Sequence, residues 1–269
     1  MRRLPLWVSF IGLFALALLY VPLIGVVIQS FNASRLGLDW KGFTLKWYEQ
    51  LWANEVIHEA AWNTLVIATV STVISTVLGT ALALAFSRFP WKRRAMTTAD
   101  NVLYLPVVTP EIVMAAALVV MFSLLRHVHA MFDFGLPAVI IGHVTFQISF
   151  VTLTVRSRLS GLPANLDEAA CDLYSGGWNL FRRVTLPLIM PGITAGALLA
   201  FILSLDDFVI TYFTAGPQLM TLPVYIYGSQ RRGITPEIHA LSTVMLLCTV
   251  VLVFVAMRFL QDRKGKAAS

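Results

Sequence analysis

Residues 188–213 read LIMPGITAGALLAFILSLDDFVITYF, with no charged side chain before Asp206 and Asp207. An α-helix rises 1.5 Å per residue, so roughly 20 apolar residues cross the roughly 30 Å hydrocarbon core of a bilayer. This run therefore reads as a membrane span. Five further runs pass the same test, over 7–28, 63–86, 102–125, 138–155 and 240–260. With 269 residues, 58% hydrophobic and 13% charged, the chain has too few polar groups to cover a globule. The predicted fold class is an all-α integral membrane protein of six transmembrane helices, forming one domain over residues 1–269. The longest outer segments, 29–62 and 214–239, are too short for a soluble domain.

The basic residues set the orientation. Arg2, Arg3, Arg88, Lys92, Arg93, Arg94, Arg156, Arg158, Arg182, Arg183, Arg258, Arg263, Lys264 and Lys266, 14 of the 20 lysines and arginines, fall on one side of the six spans. The positive-inside rule assigns that side, and both termini, to the cytoplasm. The formal net charge of +6 thus comes from clusters at span ends and calls for no nucleic-acid partner. The first run follows Met1-Arg2-Arg3, exceeds a signal-peptide apolar region in length and lacks a small-residue cleavage site, so it reads as a retained anchor. Cys171 falls in a cytoplasmic loop and Cys248 inside the last span, which argues against a disulfide. No Gly-Lys-Ser/Thr phosphate loop, paired His/Glu metal motif or Ser/His constellation is present, so the chain reads as a non-enzyme that binds no cofactor or metal.

Acids inside the membrane need a reason. A carboxylate near a span's centre costs about 2.5 to 3.5 kcal/mol on insertion scales, so such groups face a cavity or a partner. Asp206 and Asp207 point about 100° apart on one helix, so one can face a pathway and the other a helix interface. Glu111 follows Pro106 and Pro110, which loosen the third span, and broken helices at depth are tolerated where they line a cavity. Each acid has two readings: a structural bond to a group such as His143, Gln147 or an arginine of a partner subunit, or a step on a cation route. Three acids at two depths favour the route. His143 and Gln147 share one face of the fourth span and read as interhelical hydrogen-bonding groups. Gly79 with Ser71, Thr72, Ser75 and Thr76 suggests close helix packing in the second span. In the outer segment, Phe43, Trp47 and Leu51 form an amphipathic face at the membrane interface, and Trp47 is a candidate vestibule ring for cation-π attraction.

The loop 156–187 carries Asp167-Glu168-Ala169-Ala170, then Val184-Thr185-Leu186-Pro187 at a fixed distance. Acidic residues favour the start of a short helix, two alanines give it a slim surface for a partner, and Pro187 can open the next span. This arrangement resembles the coupling segment of binding-protein-dependent importer permeases, whose usual Gly is replaced here by Tyr174. Ser204 to Ile210, Phe213-Thr214-Ala215-Gly216-Pro217, Pro236 to Leu241, Lys46-Trp47-Tyr48 and Pro110 to Val113 together resemble the spermidine/putrescine importer permeases, closest to the second permease subunit of the spermidine-preferring system. The resemblance covers nearly the whole chain. It implies a type I ABC importer permease fold in the bacterial inner membrane. Its implied partners are a second permease subunit forming a heterodimer, an ATPase dimer holding ATP and Mg, and a periplasmic substrate-binding protein. It also implies pathway roles for Trp47, Glu111, Ser204, Asp206 and Asp207. Coupling roles are implied for Asp167, Glu168, Ala169, Ala170, Tyr174, Leu186 and Pro187.

Three rival readings follow from the same residues. The architecture can carry another cargo, such as an opine, an amino-acid derivative, a phosphonate or a metal chelate. A gradient-driven transporter could relay protons through Glu111, Asp206 and Asp207, but it leaves the coupling loop without a purpose. A membrane-embedded enzyme ranks last for want of a catalytic constellation.

Overall fold

The computed structural model describes residues 6–34, 39–163, 177–232 and 236–268. Among these, the regular elements are helical, and one isolated antiparallel bridge joins Asn32 to Phe43. In chain order the helices are α1 (Leu6–Gln29), α2 (Lys46–Ala53), α3 (Glu55–Arg88), α4 (Arg93–Val108), α5 (Glu111–Leu125), α6 (Leu136–Ser160), α7 (Leu186–Leu205), α8 (Val209–Thr214), α9 (Leu222–Arg232) and α10 (Pro236–Ala268). Five helical stretches are long and apolar enough to cross a bilayer, and α4 with α5, bent by 109°, makes a sixth when its two arms count as one span.

The chain divides into two compact units, residues 1–58 with 225–269 and residues 59–224. In the first, α1 and α2 each pack against α10. Helix α1 leaves large apolar side chains such as Phe10, Leu13 and Leu18 exposed all round, as a helix does when lipid is its solvent. The amphipathic face of α2 turns Trp47 and Leu51 inward. Asn54 Nδ2 donates to Glu237 Oε1 at 3.1 Å and ties the end of α2 to α10.

The second unit is built on α6. Apolar residues surround it on several sides because α3 and α7 approach it at positions with little or no side chain. A Cβ on Gly79 would stand 2.8 Å from Val151, and one on Gly196 would stand 3.3 Å from the Val151 Cα. Val151 therefore sits between two glycines, with Ala83, Val155, Ile189 and Ala200 completing a buried cluster. Small residues serve this purpose in membranes, where close van der Waals packing must hold helices together without a hydrophobic driving force. A second cluster of Ala115, Leu118, Phe122, Ala138 and Ile210 joins α5, α6 and α8.

Several spans depart from the bounds read from apolarity. The predicted third span, 102–125, is two arms. Pro106 lacks the donor that α4 needs, and Pro110 forces Thr109 into an extended conformation (ψ 133°) that no helix continues through. The predicted fifth span starts earlier and stops earlier than 188–213. Helical backbone runs from Gly177 through a π turn at Phe181–Thr185 into α7. Pro187 explains that turn, because its ring would clash with the Arg183 carbonyl in a regular α-helix and the wider turn relieves it. At the other end α7 stops at Leu205. The predicted second span, 63–86, lies within the longer α3.

Candidate functional site

Two helix breaks meet in the second unit. At the first, Pro110 opens α5 and places Glu111 in its first turn, where the positive end of the helix dipole favours a carboxylate. At the second, Asp207 ends the helical path by offering backbone donors an alternative acceptor. Its carboxylate accepts from Thr211 N (2.8 Å), Ile210 N (3.3 Å) and Thr211 Oγ1 (2.7 Å), capping α8. Asp206 lies between α7 and α8 and is exposed.

Between the breaks lies a cavity of about 250 Å³. Glu111, Asp206 and the edge of Asp207 supply its acids, Thr109 a hydroxyl, and Phe146 and Phe150 its aromatic wall. The two phenylalanines are one turn apart on α6 and meet edge to face, with centroids 6.5 Å apart. Such a lining suits an organic cation: carboxylates attract its charge, and ring faces receive it without trapping it as another ion would.

Behind the cavity runs a buried polar network. His143 Nδ1 lies 2.6 Å from Ser204 Oγ, and Nε2 lies 3.1 Å from Asp207 Oδ2 and 3.0 Å from Thr211 Oγ1. One turn further along α6, Gln147 Nε2 donates to Ser71 Oγ and to the Ala200 carbonyl, and its Oε1 accepts from Ser75 Oγ. The interhelical bonding read for His143 and Gln147 is present, and it binds α3, α6, α7 and α8 together. Of the two readings held open for the acids, Asp207 takes the structural bond to His143 and reaches the cavity only at its edge, whereas Glu111 and Asp206 line it without such a bond to His143.

Ser204 is buried within this network and does not line the cavity. Trp47 belongs to the first unit. It is 8% exposed, its Nε1 donates to the Asn32 carbonyl at 2.7 Å, and the Lys46 ammonium stands 5.8 Å from its ring centre. It borders a separate cavity of about 410 Å³ with Ala33, Thr44, Lys46 and Gln50. Asp167, Glu168, Ala169, Ala170 and Tyr174 lie outside the described residues. Of the loop's other end, Leu186 and Pro187 form the first turn of α7, and Thr185, just before it, is buried and accepts from Arg88 Nη2 at 2.7 Å. Phe146 and Phe150 were not read as site residues from sequence. Their signal was their spacing of four on the face next to His143, in a span whose apolar composition gave them no distinction.

Apolar spans and an acid-lined cavity between broken helices define a multi-pass membrane transport subunit. Over residues 75–264 the chain matches the family described as binding-protein-dependent transport system inner membrane component, and it belongs to that family. It is 36% identical to the spermidine/putrescine transport system permease protein PotC of Escherichia coli K12, covering 92% of this chain and 91% of that one. It is also 36% identical to the putrescine transport system permease protein PotI of the same organism, covering 95% and 92%. Among solved structures, a chain of a bacterial ABC transporter that imports the acidic polysaccharide alginate superposes with a TM-score of 0.73 at 18% identity, covering 96% of this chain and 95% of that one. One from the MetNI methionine ABC transporter gives 0.65 at 20% identity, covering 80% and 98%. At those identities the likeness is one of fold.

Proposed function

We propose that this chain is the permease subunit of an ATP-driven importer that carries polyamines, spermidine or putrescine, from a periplasmic binding protein into the cytoplasm. The observation that carries the reading is the cavity lined together by Glu111, Asp206 and the Phe146 and Phe150 rings. Its chemistry fits an alkylammonium chain, and the chain is 36% identical to permeases named for polyamine transport. The alginate and methionine systems share the fold with the chain, so fold alone does not select cargo.

A polyamine carries separated ammonium groups, and each needs a substitute for its hydration shell as it leaves water. Glu111 and Asp206 supply opposite charge, and the two rings line the same cavity. A second permease subunit provides the other half of the pathway in a heterodimer. An ATPase dimer holds ATP and Mg and docks on the loop 156–187 through the segment Asp167 to Tyr174. The basic residues at span ends support cytoplasmic placement of that loop and of both termini. ATP-driven closure then moves the spans between outward and inward access.

The test is uptake of labelled spermidine and putrescine into vesicles holding this chain with its partner permease, ATPase and binding protein, against a panel of unlabelled competitors. Saturable amine uptake that requires ATP and every partner is expected. A competent complex that ignores amines and moves another competitor would overturn the cargo while leaving the architecture.

A further inference from the structure

Asp206 is held between two residues that one buried ring grips. His143 is 1% exposed and does not line the cavity. With its hydrogen on Nε2, the ring donates toward Asp207 Oδ2 and Thr211 Oγ1, and Nδ1 accepts from the Ser204 hydroxyl. Ser204 is in the last turn of α7 and Thr211 is in α8, so these contacts cross the break that contains Asp206. Helix hydrogen bonds are interrupted at such a break, so side-chain contacts across it help to set the angle between its two arms. Asp207 is drawn inward by the same ring and by the backbone donors of α8. Gly142, beside His143, permits the approach: a Cβ there would stand 2.8 Å from Ile210 Cγ2.

We propose that His143 is a positioning residue for transport, which holds the α7 to α8 break in the geometry that opens Asp206 to the cavity and leaves only an edge of Asp207 there, its carboxylate bound to the ring. The two adjacent acids then have different tasks: Asp206 meets the cation, and Asp207 with His143 fixes the backbone. His143 itself touches no cargo. This inference rests on the polyamine-permease reading.

The complete transporter is reconstituted with the wild-type chain, His143→Ala, His143→Gln, Asp206→Asn, and His143→Ala combined with Asp206→Asn. Spermidine uptake and ATP hydrolysis stimulated by the loaded binding protein are measured per assembled complex. His143→Ala is expected to lower uptake about tenfold, the effect of losing one charge-assisted contact, while stimulated ATP hydrolysis stays within about twofold. His143→Gln, whose amide nitrogen reaches the Nε2 position, recovers most of the uptake. In the Asp206→Asn background, His143→Ala lowers uptake no further.

In a complex that assembles, a merely structural role would lower hydrolysis and uptake together, and its effect would multiply with that of Asp206→Asn. Either result overturns the inference. If Asp206→Asn is slow and the two effects multiply, the positioning role falls and the pathway reading stands. If Asp206→Asn transports spermidine at the wild-type rate, both fall. Should His143→Ala fail to assemble, His143→Asn, which keeps the Ser204 side and loses the Asp207 side, takes its place in the cycle.

Discussion

Gly142→Ala adds one methyl group where the structure has no room for it. The new Cβ would lie 2.8 Å from Ile210 Cγ2 and 3.4 Å from Leu118 Cδ1. Carbon atoms rest at about 3.5 to 4.0 Å, so roughly 0.7 to 1.2 Å of movement must be found. Ile210 is 2% exposed and β-branched, held in a cluster with Leu118 and Phe122, so its methyl cannot rotate aside cheaply. The movement falls on α8 as a whole. His143 Nε2 sits 3.1 Å from Asp207 and 3.0 Å from Thr211, and a shift of that size carries both contacts past hydrogen-bonding range. Overpacking of this kind costs about 1 to 3 kcal/mol. The thermal midpoint of the purified complex should fall, and spermidine uptake should fall with it. Ile210→Leu removes the offending branch at nearly constant volume, so the double variant should recover both properties, with a coupling of about 1 to 2 kcal/mol. Wild-type stability and uptake in Gly142→Ala, or simple additivity in the double variant, would refute the reasoning.

Three further outcomes are expected. Phe146→Leu keeps the apolar volume but removes a ring face, and should slow polyamine uptake by about 2- to 30-fold, the range of a cation-π contact, with assembly unchanged; equal uptake would remove the ring from the pathway. Glu168→Lys should insert and assemble normally yet hydrolyse ATP without moving substrate, and normal transport by it would count against docking at that loop. The Arg156 to Asp100 ion pair between α6 and α4 is 29% exposed on both side chains, so Asp100→Asn should cost at most about 1 kcal/mol in thermal stability and leave uptake intact; a larger loss would mean that the pair holds the two helices more tightly than a screened contact can.

Much of the fold was open to reading in one dimension because apolar run length is a local property. The spans near 7–28, 63–86 and 138–155 all lie within observed helices, since the bilayer requires only enough consecutive apolar residues and satisfied backbone bonds. The break at Pro110 had a local cue in the proline itself, and the sequence pointed to it. The break at Asp206 had none: neither glycine nor proline stands there, and an apolar run on both sides invited one uninterrupted span to Phe213. What makes that break is the carboxylate of Asp207, whose choice between helix continuation and capping α8 is made by neighbours already in place.

By itself, then, the sequence determined a six-span helical membrane protein, the asymmetry of its basic ends, the importer-permease family, and the acids that needed an explanation. Only the tertiary structure decided what separates Asp206 from Asp207. Adjacent identical residues carry no difference in a one-dimensional reading. The difference is made by His143, 64 positions before Asp207 in sequence and 3.1 Å from it in space, because burial selects the acid that finds a hydrogen-bonding partner and leaves the other the more open to the cavity.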